Sequence, residues 1–224
     1  MIFDKGHKGN FYIEYHRLGD TSFRDRVRYY EDHRTRLNEL DFSKRIEVDL
    51  DYSMCLFEIG KYHRYLGIVD RLIETVIIEN IYEFNGGNIY NNLLFRKAAC
   101  LYNTGQFQKS EKVLKALARL DKENAEARLL FSKCKRKQNR GWYEGIKAIA
   151  MVMFISAMSL GFMEILIVKP FYNEYIRTFS NLKWAFIIIA LVSLVSNELI
   201  LKYTVAKEIG YHFDLKNIRE KIGF

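Results

Sequence analysis

The hydrophobic pattern of the chain changes character near position 145. Before it, apolar residues recur every three or four positions, the spacing of helices that each bury one stripe. After it come two nearly unbroken apolar runs. Residues 148–168 (AIAMVMFISAMSLGFMEILIV) are 21 long and carry one charge, Glu164. Residues 184–201 (WAFIIIALVSLVSNELIL) are 18 long and carry one charge, Glu198, with an extension toward Tyr203. At about 1.5 Å per residue the first run covers roughly 31 Å, the thickness of a bilayer's hydrocarbon core. Pro170 follows it, where a helix can stop without losing a needed hydrogen bond. The pattern predicts a transmembrane hairpin with spans at about 148–168 and 184–203.

The first part predicts six helices: 21–40, 43–59, 61–80, 89–103, 106–120 and 123–137. Asp20, Thr21 or Ser22 can cap the first, Ser43 the second, and Gly60 ends the second. The cluster Asn85-Gly86-Gly87-Asn88 reads as a loop. Within 93–124 (LLFRKAACLYNTGQFQKSEKVLKALARLDKEN), Ala98 is a small residue on one helix, Gly105 and Phe107 mark a turn, and Ser110, Leu114 and Leu117 face inward on the next. This stretch resembles a tetratricopeptide repeat. Lys122 stands where that family has proline, and Leu94 where it has tryptophan. A weaker copy lies at 54–77, with Gly60 and Tyr62 at its turn but Tyr65 at the small-residue site. The two turn glycines are 45 positions apart, against about 34 in the family, so the array is irregular. The expected fold is all-α: an irregular tetratricopeptide-like helical repeat followed by a two-span hairpin. A plain helical bundle is the alternative. The expected division is a helical domain at 1–141, the hairpin at 142–206 and an amphipathic tail at 207–224.

Composition sharpens this. Half the chain is apolar (49%) and only one proline occurs, which excludes a disordered chain and a turn-dense β fold. The formal net charge of +8 is local. Lys133, Lys135, Arg136, Lys137 and Arg140 form a collar without an acid, and the first 132 residues are near neutral without it. Beside an apolar run, such a collar suits anionic lipid headgroups better than nucleic acid, which is not an expected partner. Cys55, Cys100 and Cys134 are too widely spaced for a zinc or redox motif and read as small core residues of a reducing compartment.

Aromatic rings flank both runs: Trp142 and Tyr143 before the first, Phe171, Tyr172 and Tyr175 after it, Trp184 and Tyr203 around the second. Such rings favour the headgroup level. The amino terminus lacks the apolar core of a signal peptide. Cations outnumber those of the 169–183 connection on both flanks, so both termini are expected in the cytoplasm, in a bacterial inner membrane. Glu164, Asn197 and Glu198 are the intramembrane polar residues. The simplest reading is that each acid snorkels or is protonated. The sharper one is contact between subunits or a pore lining, helped by the small residues Ala157, Ser159 and Gly161.

No phosphate-binding loop, zinc-protease, nucleophile-elbow or kinase signature occurs, so no cofactor, metal or catalytic residue is expected. Arg28 and His33 form an R-x4-H pattern resembling that of a dimeric helical ribonuclease family, but about one such match is expected by chance. Its surroundings, with Arg24 and Arg26 alternating with Asp25, Glu31 and Asp32, read as a solvated helix face. The resemblance to the repeat family implies a groove on the first helix of each pair, lined by Asn92, Phe95, Ala99 and Tyr102, that takes a protein partner or peptide. The expectation is therefore a membrane-anchored adaptor. A homo-oligomeric membrane effector or pore, for example of a bacterial defence system, is the alternative, and the ribonuclease a third.

Overall fold

The computed structural model describes residues 11–19, 22–84, 86–121 and 124–210. They are helical almost throughout, so the chain is all-α. The order is α1 (Phe11–Arg17), α2 (Phe23–Asp32), a 3-10 turn (Arg34–Glu39), α3 (Phe42–Glu58), α4 (Tyr62–Ile78), a two-residue hairpin of β1 (Glu83–Phe84) and β2 (Gly87–Asn88), α5 (Ile89–Asn103), α6 (Phe107–Leu120), α7 (Ala125–Gln138), α8 (Arg140–Met163), a π-helical turn (Glu164–Val168), α9 (Lys169–Phe171), a 3-10 turn (Asn173–Tyr175) and α10 (Ile176–Ile209). Most of the expected tail, at 211–224, and the capping candidates Asp20 and Thr21 lie outside the described residues.

The chain forms two compact units, Met1–Leu117 and Ala118–Phe224. In the first, α3 packs on α4 and α4 on α5 around Leu56, Tyr65, Val69 and Leu93. The turns into α4 and α6 place Gly60 and Gly105 at φ +75° and +77°, a region that residues with a Cβ rarely occupy. Ser110 of α6 donates to the Ala98 carbonyl of α5 at 2.7 Å, and both residues are fully buried. Small side chains there let the helices approach until a hydroxyl bonds a neighbouring backbone. In the first pair the corresponding place holds Tyr65. Its ring is buried, and its hydroxyl reaches across to the Leu93 carbonyl of α5 at 3.3 Å. The loop at 79–88, closed by the β-hairpin, lengthens the connection to α5.

Two features of this unit depart from the expectation. One helix was expected over 21–40. Two pieces form instead, because His33 leaves the helical basin (φ −115°, ψ 25°) while its N–H still donates to the Tyr29 carbonyl. The added helix α1 and α2 dock on α3 through tyrosine–carboxylate hydrogen bonds. Tyr12 donates to Glu47 (2.8 Å), Tyr15 to Asp51 (2.6 Å) and Tyr30 to Asp49 (2.6 Å), while Tyr52 of α3 donates to Glu31 of α2 (3.1 Å). Tyr29 donates to Glu14, joining α2 to α1. Arg26 belongs to this network, not to a solvated face: it is 4% exposed and places Nη1 3.0 Å from both oxygens of the buried Asp51. The Asp51 carboxylate makes that burial affordable, because an unpaired guanidinium there would be strongly unfavourable.

In the second unit α8 and α10 run antiparallel, and α7 packs on α10. Helix α7, expected with the soluble array, thus joins the apolar hairpin, and the division falls before it. The first apolar helix, taken with its π-turn and α9, runs continuously from Arg140 to Phe171 (32 residues), and α10 has 34. Both are long and apolar enough to cross a membrane. The π-turn precedes Pro170, whose ring cannot coexist with a regular i−4 bond to Leu166, and a wider turn absorbs the misfit.

Candidate functional site

Two surfaces stand out among the described residues. The first is a cavity of about 210 Å³ in the helical array. Leu50, Ser53 and Met54 of α3 line one wall, and Ile89, Asn92, Leu93 and Arg96 of α5 the other. Its lining mixes apolar and polar groups, and Ser53 spends its hydroxyl on the Leu50 carbonyl of its own helix (2.7 Å). Arg96, the one charge in the lining, lies over the Phe57 ring at 5.6 Å. The lining of α5 follows positions 89, 92, 93 and 96, the period of one helix face.

Of the four residues expected in a groove, Asn92 lines this cavity. Ala99 is buried, Phe95 and Tyr102 are half-buried, and the Tyr102 ring meets Phe107 edge-on at 5.4 Å. The cavity face is turned roughly a quarter of a revolution from the face through 92, 95, 99 and 102. The contribution of α3 was not foreseen, since it depends on which helices become neighbours. The periodic apolar residues Leu50 and Met54 were the available signal.

The second surface is the hairpin. Its inner seam has a period of seven. Buried residues on one side are Tyr143, Ala150, Ala157 and Glu164, and on the other Ala190 and Asn197, seven and fourteen residues after the half-buried Lys183. Lys183 Nζ donates to Glu164 at 2.6 Å and fixes the register. Equal helical rise from that pair sets Ala157 level with Ala190 and Ala150 level with Asn197. Gly161 sits beside the Lys183 stem, where an added Cβ would lie 3.6 Å from Cδ. Ala157 and Gly161 thus serve the inside of the hairpin, and Ser159 is exposed. Ser156 and Ser193 donate to carbonyls of their own helices, Val152 and Ala190, at 2.9 Å. Asn197 is 3% exposed, and its Oδ1 has no hydrogen-bond partner among the described residues.

The outer surface is the reverse. Ile149, Met151, Phe154 and Phe162 of α8 and Ile188, Leu191, Val195 and Leu199 of α10 are all exposed. Burying such residues is worth about 1.5–3 kcal/mol each, so together they form an apolar surface large enough to mark a contact with something other than water.

At the other end of the hairpin lies the basic collar. Arg136 donates from Nη2 to both oxygens of Glu198 (2.8 and 2.9 Å), and Lys135 pairs with Glu208 (2.8 Å). Arg140 pairs with Glu144 at 2.6 Å, whereas Lys133 and Lys137 are exposed. Both acids of the apolar runs therefore have a cation of their own chain, and neither reaches the other.

The R-x4-H residues are engaged locally. Arg28 is 84% exposed and lies 3.7 Å from Asp32, and the His33 ring stacks on Tyr29 at 4.2 Å with Nδ1 3.0 Å from the Tyr29 carbonyl. Among the described residues, no cluster of three or more His, Cys, Asp or Glu side chains could hold a metal. No protein-family model, curated protein or solved structure matches the chain.

Proposed function

We propose that this chain is a membrane-anchored adaptor. The α8–α10 hairpin holds it in a bilayer, and the helical array presents the α3–α5 cavity to a protein partner. The observation that carries the reading is the distribution of polarity on the hairpin. Large apolar residues cover its outside, while the two acids within its apolar runs, Glu164 and Glu198, are each paired with a cation of the chain. Hydrocarbon is the solvent that suits such a surface. The cation excess beside α8 favours the orientation with both termini in the cytoplasm, and a bacterial inner membrane is the setting that fits. The cavity's lining, with Leu50, Met54, Ile89 and Leu93 beside Asn92 and Arg96, suits a short segment that carries an apolar side chain and a nearby acid.

Fractionation tests the anchor: the full chain should stay with the membrane through alkaline carbonate extraction, and release into the carbonate wash would end this reading. Crosslinking from a photoreactive residue at Asn92 tests the adaptor role. A discrete adduct that Met54→Asp abolishes is expected, and adducts only with the chain itself would exclude it.

A homo-oligomeric membrane effector is the second reading. It is favoured by an apolar concavity of about 500 Å³ on the outside of the first span, lined by Ile155, Met158, Phe162 and Leu166. A neighbouring helix would fill it. Particle mass in mild detergent separates the two readings: a monomer removes the oligomer.

A further inference from the structure

The junction of α7 and α8 forms a pocket of about 190 Å³ lined by Arg136, Lys137, Arg140, Tyr143, Glu144 and Lys147. We propose that this pocket binds the phosphodiester headgroup of an anionic membrane phospholipid. The inference rests on the hairpin's lying in a bilayer and adds to it a built site for one lipid class.

The charges of the pocket decide its ligand. Four cations line it, and two carboxylates, Glu144 within it and Glu198 beside it, engage Arg140 and Arg136. Lys137 and Lys147 have no carboxylate partner among the described residues, and both are exposed. The local balance is thus a surplus of two positive charges around a concave space. At about 30 Å³ per water, that space holds roughly six water molecules, which a glycerophosphate group can replace. The concavity comes from the bend at Asn139 (φ −101°, ψ 32°), where α7 ends and α8 begins.

Position selects a lipid over a dissolved anion. Lys147 immediately precedes the apolar run, so the pocket opens where a headgroup would sit when its acyl chains lie along the exposed Met151, Phe154 and Met158, which continue the same helix face. Trp142, 66% exposed, projects from the opposite face of α8 at the same height along its axis, the level where indole rings anchor. The rest of the collar differs in kind. Lys135 is committed to Glu208, and Lys133 lies outside the pocket lining, so both contribute only to the general surface potential.

The chain has two tryptophans, and Trp142→Phe with Trp184→Phe and Met151→Trp leaves one reporter, a turn beyond Lys147 on the pocket's own face of α8. This variant of the full chain is reconstituted into mixed vesicles in which either phosphatidylglycerol or phosphatidylcholine carries brominated acyl chains, which quench indole on contact. Brominated phosphatidylglycerol should quench the indole of the Met151→Trp variant at a lower mole fraction than brominated phosphatidylcholine does. Lys137→Gln with Lys147→Gln should cut that preference about 5-fold per lysine removed, while quenching by phosphatidylcholine persists and reports a correctly inserted chain. Lys133→Gln with Lys202→Gln, equal in charge but outside the pocket, should retain most of the preference. Equal quenching by both lipids in the parent, or equal losses in the two double variants, overturns the site and leaves the anchor standing. No quenching by either lipid overturns both. Abolition of the preference by inorganic phosphate would assign the pocket to a soluble anion and also overturn the proposal.

Discussion

Lys183, in the first turns of α10, donates Nζ to Glu164 at the start of the π-turn, 2.6 Å away. Glu164 is 7% exposed and Lys183 partly buried, so this pair closes the far end of the hairpin in surroundings of low polarity. Removing one partner leaves the other charge stranded. Glu164→Ala should destabilise the protein in detergent by about 3 kcal/mol, and Glu164→Gln with Lys183→Met by much less. Unfolding titrations of the two single variants and the double variant measure the coupling. Additive effects would show that the pair does not hold the register.

The seam between the spans should be intolerant of bulk. Ala150, Ala157 and Ala190 are each nearly fully buried, so Leu at any of them must push the helices apart, at a cost of about 1–3 kcal/mol. Val152→Leu, on the exposed side, serves as the control and should be near neutral. Resistance of the hairpin to unfolding in a denaturing detergent reads the difference.

Within the array, Ser110→Ala removes the bond to the Ala98 carbonyl and should cost about 1 kcal/mol, whereas Ser110→Leu also forces α5 and α6 apart and should cost more. Thermal unfolding followed by circular dichroism gives the ranking. A Leu variant as stable as the Ala variant would mean that the interface has slack.

The docking of α1 and α2 on α3 should depend on pH at both extremes. The Tyr29 hydroxyl, with Arg36 beyond it, holds the Glu14 carboxyl below its ordinary range. Burial pushes Glu31 up, but the bonds from Arg64 and Tyr52 outweigh it, and the net shift is downward. Carboxyls lowered by folding give their stabilisation in full above the unfolded value, near 4.3, and lose it as pH falls further. Phenols behave in the opposite sense. Burial, with Glu14 and Glu31 as hydrogen-bond acceptors, raises Tyr29 and Tyr52 to about 12. Their contribution is complete below about pH 10 and disappears as pH rises toward 12. Hydrogen exchange of α1 and α2 amides, corrected for intrinsic rates, should show protection lost at both ends and steady between about 5 and 10.

The three thiols should be unreactive in the native state. Cys55, Cys100 and Cys134 are fully buried, and burial pushes Cys55 and Cys100 up to about 12. A maleimide at neutral pH should label the native chain far more slowly than the denatured one. Fast labelling of a native thiol would show that its helix opens locally.

Local pattern made part of this legible before any contact was known. Helix edges along 42–138 fall within a few residues of where periodicity put them, because Gly60, Gly105 and the Gly86-Gly87 loop punctuate the chain. The two apolar runs are equally plain. What stayed hidden depends on partners far apart in sequence. Arg26 looks solvated until Asp51, 25 positions later, arrives beside it. Helix α1 is too short to show a period, and α3 supplies the carboxylates that hold it. The pattern marks Glu164 and Glu198 as lone acids, because Lys183 and Arg136 read only as a flanking and a collar charge until the hairpin brings them alongside. The α3–α5 cavity required knowing which helices become neighbours, and the face chosen on α5 missed it by a fraction of a turn.

The length of α10 has a mechanical consequence. Its 34 residues extend about 51 Å, some 20 Å beyond a hydrocarbon core, and Arg136 and Lys135 grip the end that carries Glu198 and Glu208. Apolar crossing and grip therefore share one unbroken rod. Moving α7 therefore pulls on α10 through the Arg136–Glu198 and Lys135–Glu208 pairs, and moving α10 pulls on α7 in return.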